Sequence, residues 1–186
     1  MTHLAGLGSF RPDDDGLGWL VGEDTHVVPA LGVSGRFVLD DPDGDLDAAA
    51  AVMRRLLALP AGFRERLTPF LWAYYRDTVE TNGGQVALAS PDQVWSQVRI
   101  GDELHVLQQD GAWYVDVESG CDWEPEHGLQ VVLRDGDTLV KVGQYDGHLD
   151  HLGTDEVYPG AGHADDGSAR PAWWRRLRPP GAPRRR

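Results

Sequence analysis

Residues 103–143 read ELHVLQQDGAWYVDVESGCDWEPEHGLQVVLRDGDTLVKVG, and the period of their apolar residues decides the fold. Apolar side chains recur at every second position, the spacing that sends successive residues to opposite faces of an extended strand. Two dipeptides, Asp110-Gly111 and Asp135-Gly136, each separate a pair of such runs. Asp-Gly readily supplies the positive φ angles that a tight hairpin turn needs. The expected strands are Leu104 to Gln108 with Trp113 to Val117, then Leu129 to Arg134 with Thr138 to Val142. Alternation puts Trp113, Val115 and Val117 on one face of one strand and Leu129, Val131 and Leu133 on one face of the next.

Working outward toward the amino terminus, the period changes. Leu46, Ala50, Met53 and Leu57 recur at helical spacing after the turn Asp41-Pro-Asp-Gly-Asp, which predicts an amphipathic helix ending near Pro60. A second helix is expected to carry Leu67, Phe70, Leu71, Tyr74 and Thr78 on one face, with Thr68 as N-cap, Pro69 at its first position and Asn82-Gly-Gly at its end. Ser90-Pro91 repeats the cap-then-proline arrangement, so Asp92 to Gln97 reads as a short helix with Trp95 turned inward. Between Gly16 and Asp40, Trp19 to Val21 and Arg36 to Leu39 suit two or three short strands. The fold expected is therefore α+β: an antiparallel β-sheet built from hairpins, with two or three helices packed on one face. Residues 1–158 form its single domain, and residues 159–186, rich in Gly, Pro and Arg, form a disordered tail.

Charge bounds the partners. Thirty acidic residues against seventeen Lys and Arg give a net charge of -13 in 186 residues. The seven arginines of residues 170–186 leave ten basic and thirty acidic residues in the first 169, so the body is far more acidic than the whole. Such a body repels nucleic acid and anionic membrane and favours a basic protein partner. Cys121 is the lone cysteine, which excludes an internal disulfide and a Cys-x-x-Cys zinc ribbon. The first residues lack a basic segment followed by an apolar run, and no apolar run of about eighteen residues occurs anywhere. The expectation is a cytoplasmic protein.

Familiar catalytic signatures fail on spacing. Asp41-Pro-Asp-Gly-Asp-Leu-Asp alternates carboxylates like a calcium loop, but its glycine, Gly44, comes fourth and Val52 stands where the closing Glu belongs. Gly6-Leu-Gly8 and Gly16-Leu-Gly18 lack the third glycine and following helix of a dinucleotide fingerprint. Neither a Walker loop, a Gly-x-Ser-x-Gly elbow nor a His-Glu-x-x-His motif occurs.

The densest chemistry lies in two bends flanking the second hairpin: Cys121, Asp122, Trp123, Glu124, Glu126 and His127 in the first, and Asp146, His148, Asp150 and His151 in the second. A hairpin returns the chain to the side it left, so both bends are expected at one end of the sheet. Three histidines with several carboxylates suit a zinc or manganese sphere, or a general base beside an acid. The structural account of the same residues has Asp122 and Glu126 binding free backbone amides, Pro125 stiffening the turn and Trp123 covering the sheet edge. These residues by themselves imply no cofactor, no metal and no catalytic residue.

The run Cys-Asp-Trp-Glu-Pro-Glu-His-Gly-Leu-Gln from Cys121, the Arg-Asp-Gly after it and Val-Gly-Gln-Tyr-Asp-Gly-His-Leu from Val142 resemble a bacterial family catalogued as domain of unknown function 6985. Leu71-Trp-Ala-Tyr-Tyr75 and Val94-Trp95 are similar to it too, so the resemblance covers approximately residues 65–150. It implies no activity, ligand or catalytic residue. Three functions are expected in turn: a non-catalytic protein-binding domain, of an immunity type that neutralises a basic effector; a metal-assisted hydrolase with His127, His148 and His151 as ligands and Glu126 as base; and a nucleic-acid or membrane tether through Trp173, Trp174 and the tail arginines.

Overall fold

The computed structural model describes residues 1–40, 42–83, 86–152 and 154–159. In chain order its elements are β1 (Thr2–Leu4), β2 (Gly8–Pro12), β3 (Leu20–Gly22), β4 (His26–Val28), β5 (Val33–Leu39), α1 (Leu46–Leu57), α2 (Phe63–Asn82), a 3₁₀ turn (Pro91–Gln97), β6 (Val98–Ile100), β7 (Glu103–Gln109), β8 (Ala112–Cys121), β9 (Leu129–Arg134) and β10 (Thr138–Gly143). The strands join one sheet in the order β1-β2-β3-β5-β7-β8-β9-β10, with β4 beside β5 and β6 beside β8. It is an α+β fold with a mostly antiparallel sheet. The expectations for the tail, including Trp173 and Trp174, fall outside the described residues.

Both Asp-Gly turns connect paired strands. Asp110 and Gly111 have φ of 51° and 77°, between Gln109 and its partner Ala112. Asp135 and Gly136 have φ of 55° and 83°. A methyl group on Gly136 would stand 2.3 Å from the Val52 carbonyl oxygen of α1, so this turn needs glycine for its conformation and for the close approach of the helix.

The sheet departs from a purely antiparallel one at its centre, where β5 pairs parallel to β7 over Arg36–Leu39 and Glu103–Val106. Parallel neighbours need a long crossover, and α1, α2, the 3₁₀ turn and β6 form it. Local alternation carries no signal for this pairing, because strand partners distant in sequence are chosen by packing.

Asp45 caps α1, its side-chain oxygen accepting from the Asp47 and Ala48 amides at 3.0 Å. The buried residues of α1 are Ala49, Ala50, Val52, Met53 and Leu56, whereas Leu46 and Leu57 stay half-buried, so the helix is rotated slightly from the expected stripe. The second helix begins six residues before Pro69, at Phe63, and Thr68 is not its cap. Burial of Phe63 and Leu67 outweighs the bond that Pro69 withholds from the second turn. The Thr68 hydroxyl instead donates to the Arg64 carbonyl at 3.2 Å and accepts from Trp95 Nε1 at 2.8 Å. In the 3₁₀ turn Val94 is the buried residue, while Trp95 is half-buried under the Arg64 guanidinium, 4.2 Å from the ring centre.

One core cluster joins Phe37, Leu39, Leu104, Val106, Trp113, Val115, Val117, Leu129, Val131, Leu133, Leu139 and Val142 of the sheet with Met53 and Leu56 of α1 and Leu67, Leu71 and Tyr74 of α2. Val38, Val132 and Leu149 are buried outside that cluster. The alternation of β10 is broken between Leu139 and Lys141, a bulge after which Lys141 pairs with Val132 and Val142 with Val131. The bulge lets Leu139 and Val142 both join the core and sends Lys141, the chain's only lysine, to the other face.

Candidate functional site

The first bend is held by what packs beneath it. Trp123 is buried edge-on against Tyr74 and Tyr75 of α2, with ring centres 5.9 and 5.8 Å away. The Tyr74 hydroxyl donates to the Gly128 carbonyl at 2.8 Å. Gly128 has φ of 64°, and a methyl group there would meet the Ser119 carbonyl oxygen at 2.6 Å. Burial pushes the Cys121 thiol up to about 12, which favours the protonated form at neutral pH. Asp122 pairs with the Arg99 guanidinium.

Glu124 is largely buried, and its Oε1 accepts from the Glu126 and His127 amides at 3.3 and 3.4 Å and stands 3.4 Å from His127 Nδ1. Among the described residues, Glu124, Glu126 and His127 form the one group of three acidic, histidine or cysteine side chains whose ligand atoms lie within 4.8 Å of one another. The chemistry of this group suits a cation such as zinc or manganese, with one imidazole and two carboxylates.

The second bend meets the first, since the Tyr145 amide donates to the His127 carbonyl at 3.2 Å. The side chains, however, turn to different partners. His151 donates from Nε2 to the Val142 carbonyl at 3.1 Å and lies edge-on to Tyr158. His148 contributes its backbone, its amide bonding Asp146 at 3.0 Å and its carbonyl accepting from Lys141 at 2.8 Å. Asp146 also accepts from Lys141 Nζ at 2.5 Å, and Asp150 is exposed. His148 and His151 therefore stand outside the group formed by Glu124, Glu126 and His127.

A second polar cluster, unanticipated from the sequence, occupies the face of the sheet opposite the core. Val38, His105, Asp116, Val132 and Lys141 are successive cross-strand partners on β5, β7, β8, β9 and β10. Partners in register share a face, so three ionisable side chains cross five strands in a row. Asp40 Oδ1 lies 3.0 Å from His105 Nδ1, and Trp19 packs edge-on against the imidazole at 5.4 Å. Burial depresses the His105 pKa, but the hydrogen bond and charge of Asp40, with Glu118 and Glu103 beyond, outweigh it and the net direction is upward. Gln130, fully buried, donates from Nε2 to Asp116 Oδ2 at 2.6 Å. Burial pushes the Asp116 carboxyl up to about 6. Asp116 Oδ1 and Gln130 Oε1 are both buried without a hydrogen-bond partner.

Lys141, fully buried, anchors the 144–149 loop through Asp146 and the His148 carbonyl. Burial raises the Asp146 pKa, but Lys141 and the His148 amide outweigh it and hold the carboxyl below its ordinary value. The trace of this face in the sequence is slight: Asp116, Glu118 and Gln130 occupy the polar phase of their strands, where solvated residues are the ordinary expectation.

No helix among the described residues is long and apolar enough to cross a membrane. No curated protein and no solved structure matches the chain. A family profile matches residues 6–149, taking in the first bend, the row across the outer face and strands β2 to β5. That match covers well over half of the 186 residues, and the chain belongs to the family described as Domain of unknown function (DUF6985).

Proposed function

We propose that this protein is a non-catalytic binding domain, bacterial and cytoplasmic, that engages a basic protein partner in the manner of an immunity protein. In this reading α1 and α2 cover a single face of a sheet assembled from hairpins, and the other face with its rim is the working surface. The observation that carries the reading is how the body's charges are disposed. Arg11, Arg55, Arg99 and Lys141 are each paired with a carboxylate of the same chain, and beside the exposed Arg36, Arg54 and Arg134 a larger set of carboxylates, Asp15, Glu23, Asp24, Asp102, Glu103, Glu118, Glu126, Asp137 and Asp150 among them, stands exposed outside those pairs. Excess negative charge of this kind raises the rate of encounter with a basic partner and discriminates against acidic ones. The test is copurification from the native host with a basic protein encoded beside it, followed by association kinetics. Association that slows steeply with salt supports the reading; absence of such a partner, or salt-independent association, removes it.

A second reading rests on Glu124, Glu126 and His127, whose ligand atoms converge as a metal site requires. It retains the metal-assisted hydrolase, with His127 as ligand beside the two glutamates, and leaves His148 and His151 out of the coordination sphere. Zinc or manganese at unit stoichiometry in untagged protein, lost in Glu124→Gln, supports it. Substoichiometric metal disposes of it.

A further inference from the structure

Asp116 and Gln130 are an expensive pair to bury. A carboxylate oxygen and an amide oxygen without partners each forgo solvation that nothing in the fold returns. Lys141, the buried cation on the same face, does not serve them, because its ammonium bonds Asp146 and the His148 carbonyl. Glu118 is the cross-strand partner of Gln130 and lies two residues from Asp116 on the same strand face. Tyr145 stands beside them, its hydroxyl donating to the Glu118 carboxylate and pushed up in pKa by the charge of Glu118 first, then by burial, with Asp116 and Asp40 adding to it. Counting Asp40, Glu103, Asp116, Glu118 and Asp146 against Arg36, Arg134 and Lys141, the face holds a net negative charge of two, or of one with His105 protonated, and its carboxylates Asp116 and Glu118 flank the unpartnered oxygens.

We propose that this outer face is a receptor for a guanidinium group, with Asp116 Oδ1, Gln130 Oε1 and the Glu118 carboxylate as acceptors and the Tyr145 ring beside the bound cation. The inference rests on the binding reading above and names its chemistry: the guanidinium is an arginine side chain of the basic partner. A bare metal ion suits the face poorly, because among the described residues no three of its acidic or histidine ligand atoms gather within 4.8 Å. Acceptors spread over two strands suit the planar, five-donor fork of guanidinium better than a compact ammonium. The aromatic ring adds the surface on which that plane stacks. The two oxygens are closed to solvent, so an entering arginine has to part the side chains that cover them.

The test uses the full chain, labelled for backbone amide NMR and titrated with N-acetyl-arginine methylamide, N-acetyl-lysine methylamide and methylguanidinium at matched ionic strength. The expected result is saturable shifts at Asp116, Glu118, Gln130 and Tyr145 with the blocked arginine, weaker binding of the blocked lysine, and methylguanidinium no tighter than the arginine probe. Asp116→Asn should weaken the arginine probe about tenfold to a hundredfold, the range of a charge-assisted hydrogen bond. Glu118→Gln, at an exposed position that leaves the fold intact, should weaken it in the same direction, and Glu126→Gln on the rim should not. Shifts that grow linearly over the whole acidic surface, equal binding of the lysine probe, or wild-type affinity in Asp116→Asn and Glu118→Gln would overturn the proposal. Tighter binding of methylguanidinium than of blocked arginine would overturn the peptide source. A basic partner that binds Asp116→Asn and wild type alike, with no arginine-probe site, sinks this inference alone; a saturable arginine site without any copurifying partner sinks the broader reading alone.

Discussion

Replacing Asp116 with Asn should make the protein more stable at neutral pH, against the usual expectation for a buried, hydrogen-bonded residue. Burial lifts the Asp116 pKa from 3.8 to about 6 in the folded state. The folded protein therefore holds the proton more tightly than the unfolded chain. The contribution of this group is most favourable below the unfolded value and is lost as pH rises through the folded one. A shift of this size corresponds to about 3 kcal/mol against the folded state once the carboxylate is ionised. Asn removes the charge, keeps an oxygen for Gln130 Nε2, and adds an N–H that the unpartnered Gln130 Oε1 can accept. The exchange of a charged for a neutral acceptor returns about 1 kcal/mol of the gain. The net expectation is a stabilisation of about 2 kcal/mol at pH 7.5, growing by between about 1 and 2 kcal/mol from pH 5 to pH 7.5. Urea unfolding of both proteins at several pH values measures this directly. A variant less stable than wild type at pH 7.5, or a difference that does not change with pH, would show that Asp116 is not ionised at a cost in the folded state.

Three other perturbations read the same structure. Asp146→Asn leaves the fully buried Lys141 ammonium without its counter-charge and should cost about 3 kcal/mol; Lys141→Met added to it should restore part of the loss, and an additive double variant would refute the pairing. Gly136→Ala combines a φ of 83° with a carbonyl oxygen 2.3 Å from the new methyl group, and should cost about 2 to 4 kcal/mol in urea unfolding, whereas the same change at Gly16, where the added carbon meets nothing, carries only the conformational part. For His105 the folded pKa is raised, so its stabilising link to Asp40 is complete below the ordinary histidine value and fades as pH rises through the folded one. Asp40→Asn should lower the His105 midpoint in a proton NMR titration, and an unchanged midpoint would mean that Asp40 does not hold the imidazolium.

What could be read without coordinates was whatever repeats locally. The β7/β8 and β9/β10 turns were legible because Asp-Gly is one of few dipeptides at ease with positive φ at both positions. The face Leu67, Phe70, Leu71, Tyr74 and Thr78 was legible because helical spacing makes burial periodic, although the start of that helix was not, since Pro69 imitates a first-turn residue. The contiguous Glu124, Glu126 and His127 could be found as a group for the same reason of short range.

The rest depended on partners distant along the chain. The parallel pairing of β5 with β7 follows from how α1 and α2 pack in the crossover, not from any property of either strand alone. The bulge after Leu139 reverses which side of β10 faces the core, and so decides that Lys141 lies opposite Val132 rather than beneath the helices. Asp40, His105, Asp116 and Gln130 are polar residues scattered over ninety-one positions, as ordinary in sequence as any solvated strand face. Composition and periodicity alone determined an acidic α+β chain with two Asp-Gly turns between apolar runs and two helical segments. Register, a through-space property of hydrogen bonding between strands, decided that four of its polar residues meet on one side of the sheet and that two of their oxygens lie buried there without partners.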